Sequence, residues 1–483
     1  MAIGALSVLL QVLFVGNMSY LYGSIWKSTS RFHAFRVLFV DYDEGVIGHS
    51  VKQGYQQLQG QGFPTLIERD RRLYPSMEDV IGAVKDTSYW AAFVTTPNAS
   101  NRLAGALEGG TMAQEYNASG ALTYVWNEVR YPPFSDEMFS ASFENLVVAT
   151  RLAYNKLNGT AALDLLNKGD PAALQVLLNP VMASSVNIMP TTQQTKLFYN
   201  TVSMVMPILQ QFFFLLILNG ISHESQLYSK LPLRISGLVR VGLSVLFDFL
   251  ASLCMSGYIW AFRETWEVTG KQFALTWMVL WLLMHIHFLI IDASTAVLPL
   301  PALPFFLLTW IIINITSSIS PFEASPGFYK WGYALPTNEA YTILTDIWSF
   351  GNVPQLYRAM PVLFSWWVAS FSLAAWGHYN RCKKAMEQDE KLNNLAHIAP
   401  ERSQQGTPDD SAFQPLRTTP SETLLEAAQV YRSAYGPSVP LPGGLWGAFE
   451  SSEQDGPDSA KQTASEWHRL PGDPASASTD DGI

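Results

Sequence analysis

Cysteine is nearly missing from this chain: only Cys254 and Cys382 occur among 483 residues. Neither lies in the polar stretch 27–198, so no disulfide can hold that stretch together, and its roughly 170 residues must supply their own core. Charge is also scarce, at 14% of residues against about 25% in an average soluble protein. The chain is 48% hydrophobic with a net charge of −10, which excludes a disordered chain, a coiled coil and a basic nucleic-acid binder. It has no G-x-x-x-x-G-K-[ST] phosphate loop, no H-E-x-x-H, no zinc-type Cys/His cluster and no G-x-S-x-G nucleophile elbow. An ATP-hydrolysing domain is therefore not expected within it, nor a metal, a cofactor or an enzymatic activity.

What is present is long uncharged sequence. Six windows are long and apolar enough to cross a bilayer: 2–22, 199–221, 237–260, 273–291, 299–320 and 360–378. They lack the polar face of a soluble amphipathic helix. The stretch between the first two is polar and nearly balanced, with 16 acids and 14 bases over 27–198. The last 99 residues hold 16 acids and 6 bases and are rich in Pro, Ser, Gly and Asp, so they account for the whole net charge. The expected organisation is a membrane α-helical protein. It has a first span at 1–26, retained as an anchor, and a large α/β or α+β extracytoplasmic domain over 27–198. A five-helix membrane bundle over 199–380 and an acidic, disordered cytoplasmic tail over 381–483 follow. Within the tail, SETLLEAAQVYRSAYG has a local helical tendency.

Lys230, Arg234, Arg240, Arg381, Lys383 and Lys384 flank one side of the bundle, and Arg263, Lys271, Lys330 and Arg358 the other. The positive-inside rule puts the first group, and with it both termini, in the cytoplasm. Sequons at Asn98, Asn117 and Asn158 in the polar domain agree as candidate glycosylation sites.

In the polar domain, FRVLFV, TLIER, YWAAFVTT and ALTYVWNE read as strands. HSVKQGYQQLQGQG, DVIGAVKD after a capping box at Ser76, and FSASFENLVVATRLAYNKL read as helices. Asp41, Asp43 and Glu44 follow the first strand; a cation site is one reading and a solvated acidic turn the better one. Within the spans, Asp248 is an ionisable group where charge is costly, and so a functional candidate by default. His285 and His287, two residues apart, cannot line one helix face, whereas His285 and Asp292, seven apart, can. That pair reads either as a proton relay or as a helix-to-helix hydrogen bond, and Asn314 as a further polar contact. The Gly/Pro-punctuated, aromatic segment PFEASPGFYKWGYALPTNEAYTILTDIWSFG suits the membrane interface or a re-entrant hairpin buried against protein.

Three segments carry a family resemblance: SYLYGSIWKSTSRFHAFRVLFVDYDEG, YWAAFVTTPNAS and IINITSSISPFEASPGFYKWGYALPTNEAYTI. In order and spacing they resemble the fungal nitrosoguanidine-resistance family, whose members are similar to the permease domain of type-2 ABC exporters. The resemblance covers roughly residues 15–384. It implies a plasma-membrane or endomembrane protein that exports or redistributes hydrophobic compounds or lipids and confers mutagen or drug resistance. A non-transporting organiser of lipid asymmetry or of other membrane proteins is the alternative. Implied partners are membrane lipids, a hydrophobic small molecule, proteins reached through the tail and a second copy of the chain, but no nucleic acid. Pro326, Tyr329, Trp331, Gly332, Tyr333 and Pro336 match the family motif, where the implied role is architectural.

Overall fold

The computed structural model describes residues 2–60 and 62–404; the acidic stretch 405–483, with SETLLEAAQVYRSAYG, lies outside the described residues. The chain divides into two units, Met1–Ile217 with Arg234–Asn380, and Leu218–Leu233 with Arg381–Ile483.

The first unit opens with α1 (Ala2–Ile25) and continues into an α/β region. The sheet-forming strands are β1 (Arg36–Asp41), β2 (Thr65–Arg69), β3 (Ala91–Thr95), β4 (Leu122–Trp126) and β5 (Ala183–Asn187). Between them run α2 (Val46–Leu58), α3 (Met77–Lys85), α4 (Ala99–Leu107), α5 (Ala141–Leu165) and α6 (Pro171–Leu178). The sheet order is β2-β1-β3-β4-β5; only the β3–β4 pair is antiparallel. Alternate residues feed opposite faces, as the period of two requires. Val37, Phe39 and Phe93 join α2, α4 and α5 on one side, and Leu38, Val40, Ala92 and Val94 join α3 on the other. The expected strands and helices form, including the Ser76 capping box closed by Asp79. The fifth strand, ASSVN, has too little apolar content to stand out in the sequence, and only its pairing with β4 makes it a strand.

The same unit holds α7 (Val202–Glu224, through Ile217), α8 (Leu233–Ala261), α9 (Gly270–Val297), α10 (Leu303–Ser318), α11 (Pro336–Trp348) and the start of α12 (Leu356–Gln404). Among the described residues, five helices are long and apolar enough to cross a membrane: Ser7–Ile25, Val202–Ser222, Leu233–Ala261, Gly270–Val297 and Leu356–Lys391. The expectation of six is corrected at the fifth window. There α10 has only 16 residues, about 24 Å at about 1.5 Å per residue, short of a hydrocarbon core about 30 Å thick. Prolines set its limits: Pro299, Pro301 and Pro304 crowd its start, and Pro321 follows its end. The most enclosed of the five is α9, with its N-terminus fixed by Thr269 and Gln272 in a capping box. The aromatic segment after α10 forms a 3₁₀ stretch, Gly327–Ala334, and then α11, almost wholly buried, which agrees with burial against protein.

A carboxylate fastens the sheet to the segment that leads into α7. Glu128, just past β4, accepts from Asn187 Nδ2 at 2.6 Å, from Thr191 and from Lys196 Nζ at 2.5 Å. Burial pushes this carboxyl up, but the bonds from Lys196, Thr191 and Asn187 outweigh it and hold the group below the ordinary Glu value. Asp136, also bonded to Lys196, is raised by burial and by its neighbour Glu128. Lys196 is raised: burial opposes its charge, and the two carboxylates overcome that.

In the second unit, residues 381–404 continue α12 as helix, which corrects the reading of a tail disordered from 381.

Candidate functional site

The third span carries a pattern that a scan for charge passes over. Ser236, Arg240, Ser244, Asp248, Ser252 and Ser256 recur at every fourth residue of α8, and all six are buried. At 3.6 residues per turn such a row winds slowly around the helix, so successive members meet different neighbours. Ser236 Oγ lies 3.0 Å from His378 Nε2 on α12. Arg240 donates to Asp292 Oδ1 on α9 at 2.5 Å. Asp248 Oδ2 pairs with His285 Nδ1, also on α9, at 2.9 Å. Ser244 and Ser252 turn back on the carbonyls of Val241 and Phe249.

The facing side of α9 is built to match. Trp277 and Trp281 donate their indole N–H to the Phe249 and Val245 carbonyls of α8, at 2.9 and 3.2 Å. His285 and Asp292 do share this face, but they do not meet as a relay. Each is taken by a residue of α8, because antiparallel packing sets 285 against 248 and 292 against 240. Arg240 is therefore no flanking cation; it is 4% exposed and neutralised inside the helix pair. Sequence reasoning missed it because a single Arg near the end of an apolar window looks like a loop charge. The four-residue polar repeat was the signal that could have found it.

Asp248 has one oxygen left over. Gln211 of α7 is buried beside it, yet Asp248 Oδ1 and both amide atoms of Gln211 are outside hydrogen-bond geometry. Three helices thus converge on a small polar cluster with open valences next to the His285 pair.

His287 points the other way, as its spacing from His285 requires. Trp310 Nε1 of α10 donates to its Nδ1 at 3.2 Å, and Thr337 Oγ1 of α11 is 3.4 Å from its Nε2. Thr337 in turn donates to Asn314 Oδ1 at 2.8 Å, and Asn314 Nδ2 to the Trp310 carbonyl. A donor aimed at Nδ1 requires a neutral ring protonated on Nε2. Asn314 and His287 thus close a satisfied network that holds α9, α10 and α11 together, a packing role.

Most of the residues singled out between Pro326 and Pro336 make packing or helix-end contacts. Tyr329 donates to the Tyr20 carbonyl of α1 at 2.8 Å, and its ring lies against Tyr20 beside Trp331. Pro326 and Pro336 start the 3₁₀ stretch and α11. A Cβ on Gly332 would sit 2.5 Å from the Phe322 ring, so only glycine fits there. Tyr333 is the exception: it packs under Arg358 and lines a cavity.

The carboxylates after β1 are each committed to protein. Asp41 accepts from Thr95 Oγ1 and the Glu44 amide, Asp43 holds the Ser100 amide and hydroxyl, and Glu44 pairs with Arg71. No group of three or more potential metal ligands forms among the described residues. This is a turn that anchors the start of α4, although Asp41 is buried rather than solvated. Asn98 and Asn117 stand exposed, at the N-cap of α4 and at the cap of a 3₁₀ turn. Asn158 lies within α5 and bonds to Tyr154, away from any loop.

Residues 6–372 match the family DUF3533, described as a protein of unknown function, and the chain belongs to that family. No solved structure matches it.

Proposed function

We propose that this chain is a permease-like integral membrane protein, without an enzymatic reaction of its own, that exports or redistributes hydrophobic compounds or lipids. The observation that carries this reading is the cluster of Asp248, His285 and Gln211, with one carboxylate oxygen and a side-chain amide unpartnered inside apolar helices. Ionisable groups buried at such positions are costly and mark substrate or proton pathways by default. The sheet region is taken to lie outside the cytoplasm and both termini within it, at the plasma membrane or an endomembrane. With Arg240 and Arg358 both drawn into ion pairs, the flanking cations still favour this orientation. Lys230, Arg234, Arg381, Lys383 and Lys384 stand against Arg263, Lys271 and Lys330. The resemblance to nitrosoguanidine-resistance proteins supports resistance to mutagens or drugs as the outcome, with lipids and a hydrophobic small molecule as partners and a homo-oligomer as a further state.

The test is a flux assay on purified protein in liposomes, with a labelled lipid and an apolar mutagen, for wild type, Asp248→Asn and His285→Ala. Loss of flux in variants that still insert and migrate as wild type supports the reading; full flux in both overturns the role of this cluster. A second reading, a membrane organiser that recruits proteins through its end, draws support from the continuation of α12 to Gln404. Deleting 385–483 separates the two. A permease keeps its flux and its resistance, whereas an organiser loses resistance.

A further inference from the structure

A second feature lies apart from the polar row of α8. Where the segment after β4 meets the elements that follow α10, they enclose a cavity of about 210 Å³. Drug-sized ligand sites run to about 300–1,000 Å³, so this one suits something as small as a headgroup. Its lining includes Trp90, Arg130, Glu323, Tyr333, Tyr341 and Arg358.

Charge is arranged here in an unusual way. Arg130 lies over the Trp90 ring, 3.4 Å from its centroid, and its side chain makes no hydrogen bond or ion pair with any described residue. All five of its donors remain for something else, and it cannot escape by losing its proton at neutral pH. Arg358 is different: it lies over Tyr333 and gives its Nε to Glu339, so it is neutralised from behind. Glu323 is the mirror of Arg130. It is near enough to act on Arg130, Tyr131 and Tyr333 through its field, but it has no hydrogen bond or ion pair of its own among the described residues. The cavity thus presents one cation and one anion that feel each other's field without a direct ion pair or hydrogen bond between them. Tyr341 also lines the cavity; it is 1% exposed, and its buried hydroxyl has no hydrogen-bond partner among the described residues.

A pure anion would satisfy Arg130 and be repelled by Glu323; a pure cation would do the reverse. An apolar ligand would leave both charges and the Tyr341 hydroxyl desolvated and unpaired, which is strongly unfavourable. A small zwitterion satisfies both charges. We propose that this cavity binds a zwitterion in which an oxyanion and an ammonium are separated by a few bonds, the oxyanion at Arg130 and the ammonium at Glu323. The aromatic walls supply further attraction for the ammonium. Either a lipid headgroup or a free metabolite has this chemistry. The site stands whether or not the chain transports.

The test uses the full chain in a non-ionic detergent, titrated calorimetrically with O-phosphoethanolamine and with ethyl phosphate, which lacks the ammonium. In parallel, native mass spectrometry reads the lipid retained from nanodiscs of phosphatidylethanolamine mixed with phosphatidylglycerol. Wild type should bind O-phosphoethanolamine at least tenfold more tightly than ethyl phosphate. Glu323→Gln should erase that preference by weakening the first and strengthening the second, and Arg130→Met should weaken both at least tenfold. The gain for ethyl phosphate in Glu323→Gln cannot come from misfolding. Retention of phosphatidylethanolamine without binding of the free headgroup assigns a lipid source; binding of the free headgroup without lipid retention assigns a soluble one. Binding of neither ligand to wild type together with no retained phosphatidylethanolamine, equal affinity for both ligands, or affinities and lipid retention unmoved by the two substitutions overturns the proposal.

Discussion

Consider Asp292→Ala. Arg240 and Asp292 are 4% and 3% exposed, and the pair is closed at 2.5 Å. Removing the carboxylate leaves a guanidinium buried in apolar surroundings without its charge partner, and its high pKa bars neutralisation. Breaking a buried pair in this way costs about 3–5 kcal/mol. Arg240→Met should also destabilise, by removing the cation that balances Asp292. The double variant Arg240→Met with Asp292→Leu removes both charges and fills the space with apolar atoms. Such replacements are neutral or stabilising by about 1–4 kcal/mol. Melting of purified protein in dodecyl maltoside, followed by size-exclusion retention, should therefore fall for each single variant and recover for the double. A double variant as unstable as the sum of the singles would refute the reasoning, because the two groups would then contribute independently rather than as a pair.

Other outcomes follow from the geometry. Glu128 is held below its ordinary value, so its contribution is present above the unfolded carboxyl value and is lost as pH falls through the folded one. Lys196 is raised, so its contribution is full below the unfolded Lys value and is lost as pH rises through the folded one. Asp136 is raised and works against stability at neutral pH, a penalty relieved on acidification. Proteolysis between β5 and α7 should accordingly be slowest between those limits, and Glu128→Gln should flatten the acid side of the profile. Gly332→Ala drives a Cβ into the Phe322 ring; overpacking of this kind costs about 1–3 kcal/mol, and Phe322→Leu in the same chain should return part of the lost melting temperature. Expression in a glycosylating host should give glycosidase-sensitive forms that disappear with Asn98→Gln and Asn117→Gln, while Asn158→Gln leaves the pattern unchanged.

The sheet region was legible because its strands are short apolar runs that alternate between two covered faces, and its helices carry caps such as Ser76. The spans were legible because long uncharged runs can hardly be anything else. The fifth window misled, since composition counts apolar residues while the prolines at 299, 301, 304 and 321 decide where a helix can begin and end. Asp248, His285, Asp292 and Asn314 could be singled out as polar groups in apolar sequence, but which of them pair could not. A helix period shows which residues share a face and says nothing about which helix comes to lie against that face.

Sequence alone thus determined four of the five strands, five of the six apolar spans, the α/β character of the polar region and the two faces on which His285 and His287 stand. Tertiary structure decided the partners: Arg240 for Asp292, Asp248 for His285, and Arg130 and Glu323 in one cavity though 193 positions separate them. The physical reason is that propensity and hydrophobic period act within a few residues of chain. A charge's partner is set by antiparallel register and packing between segments far apart in it.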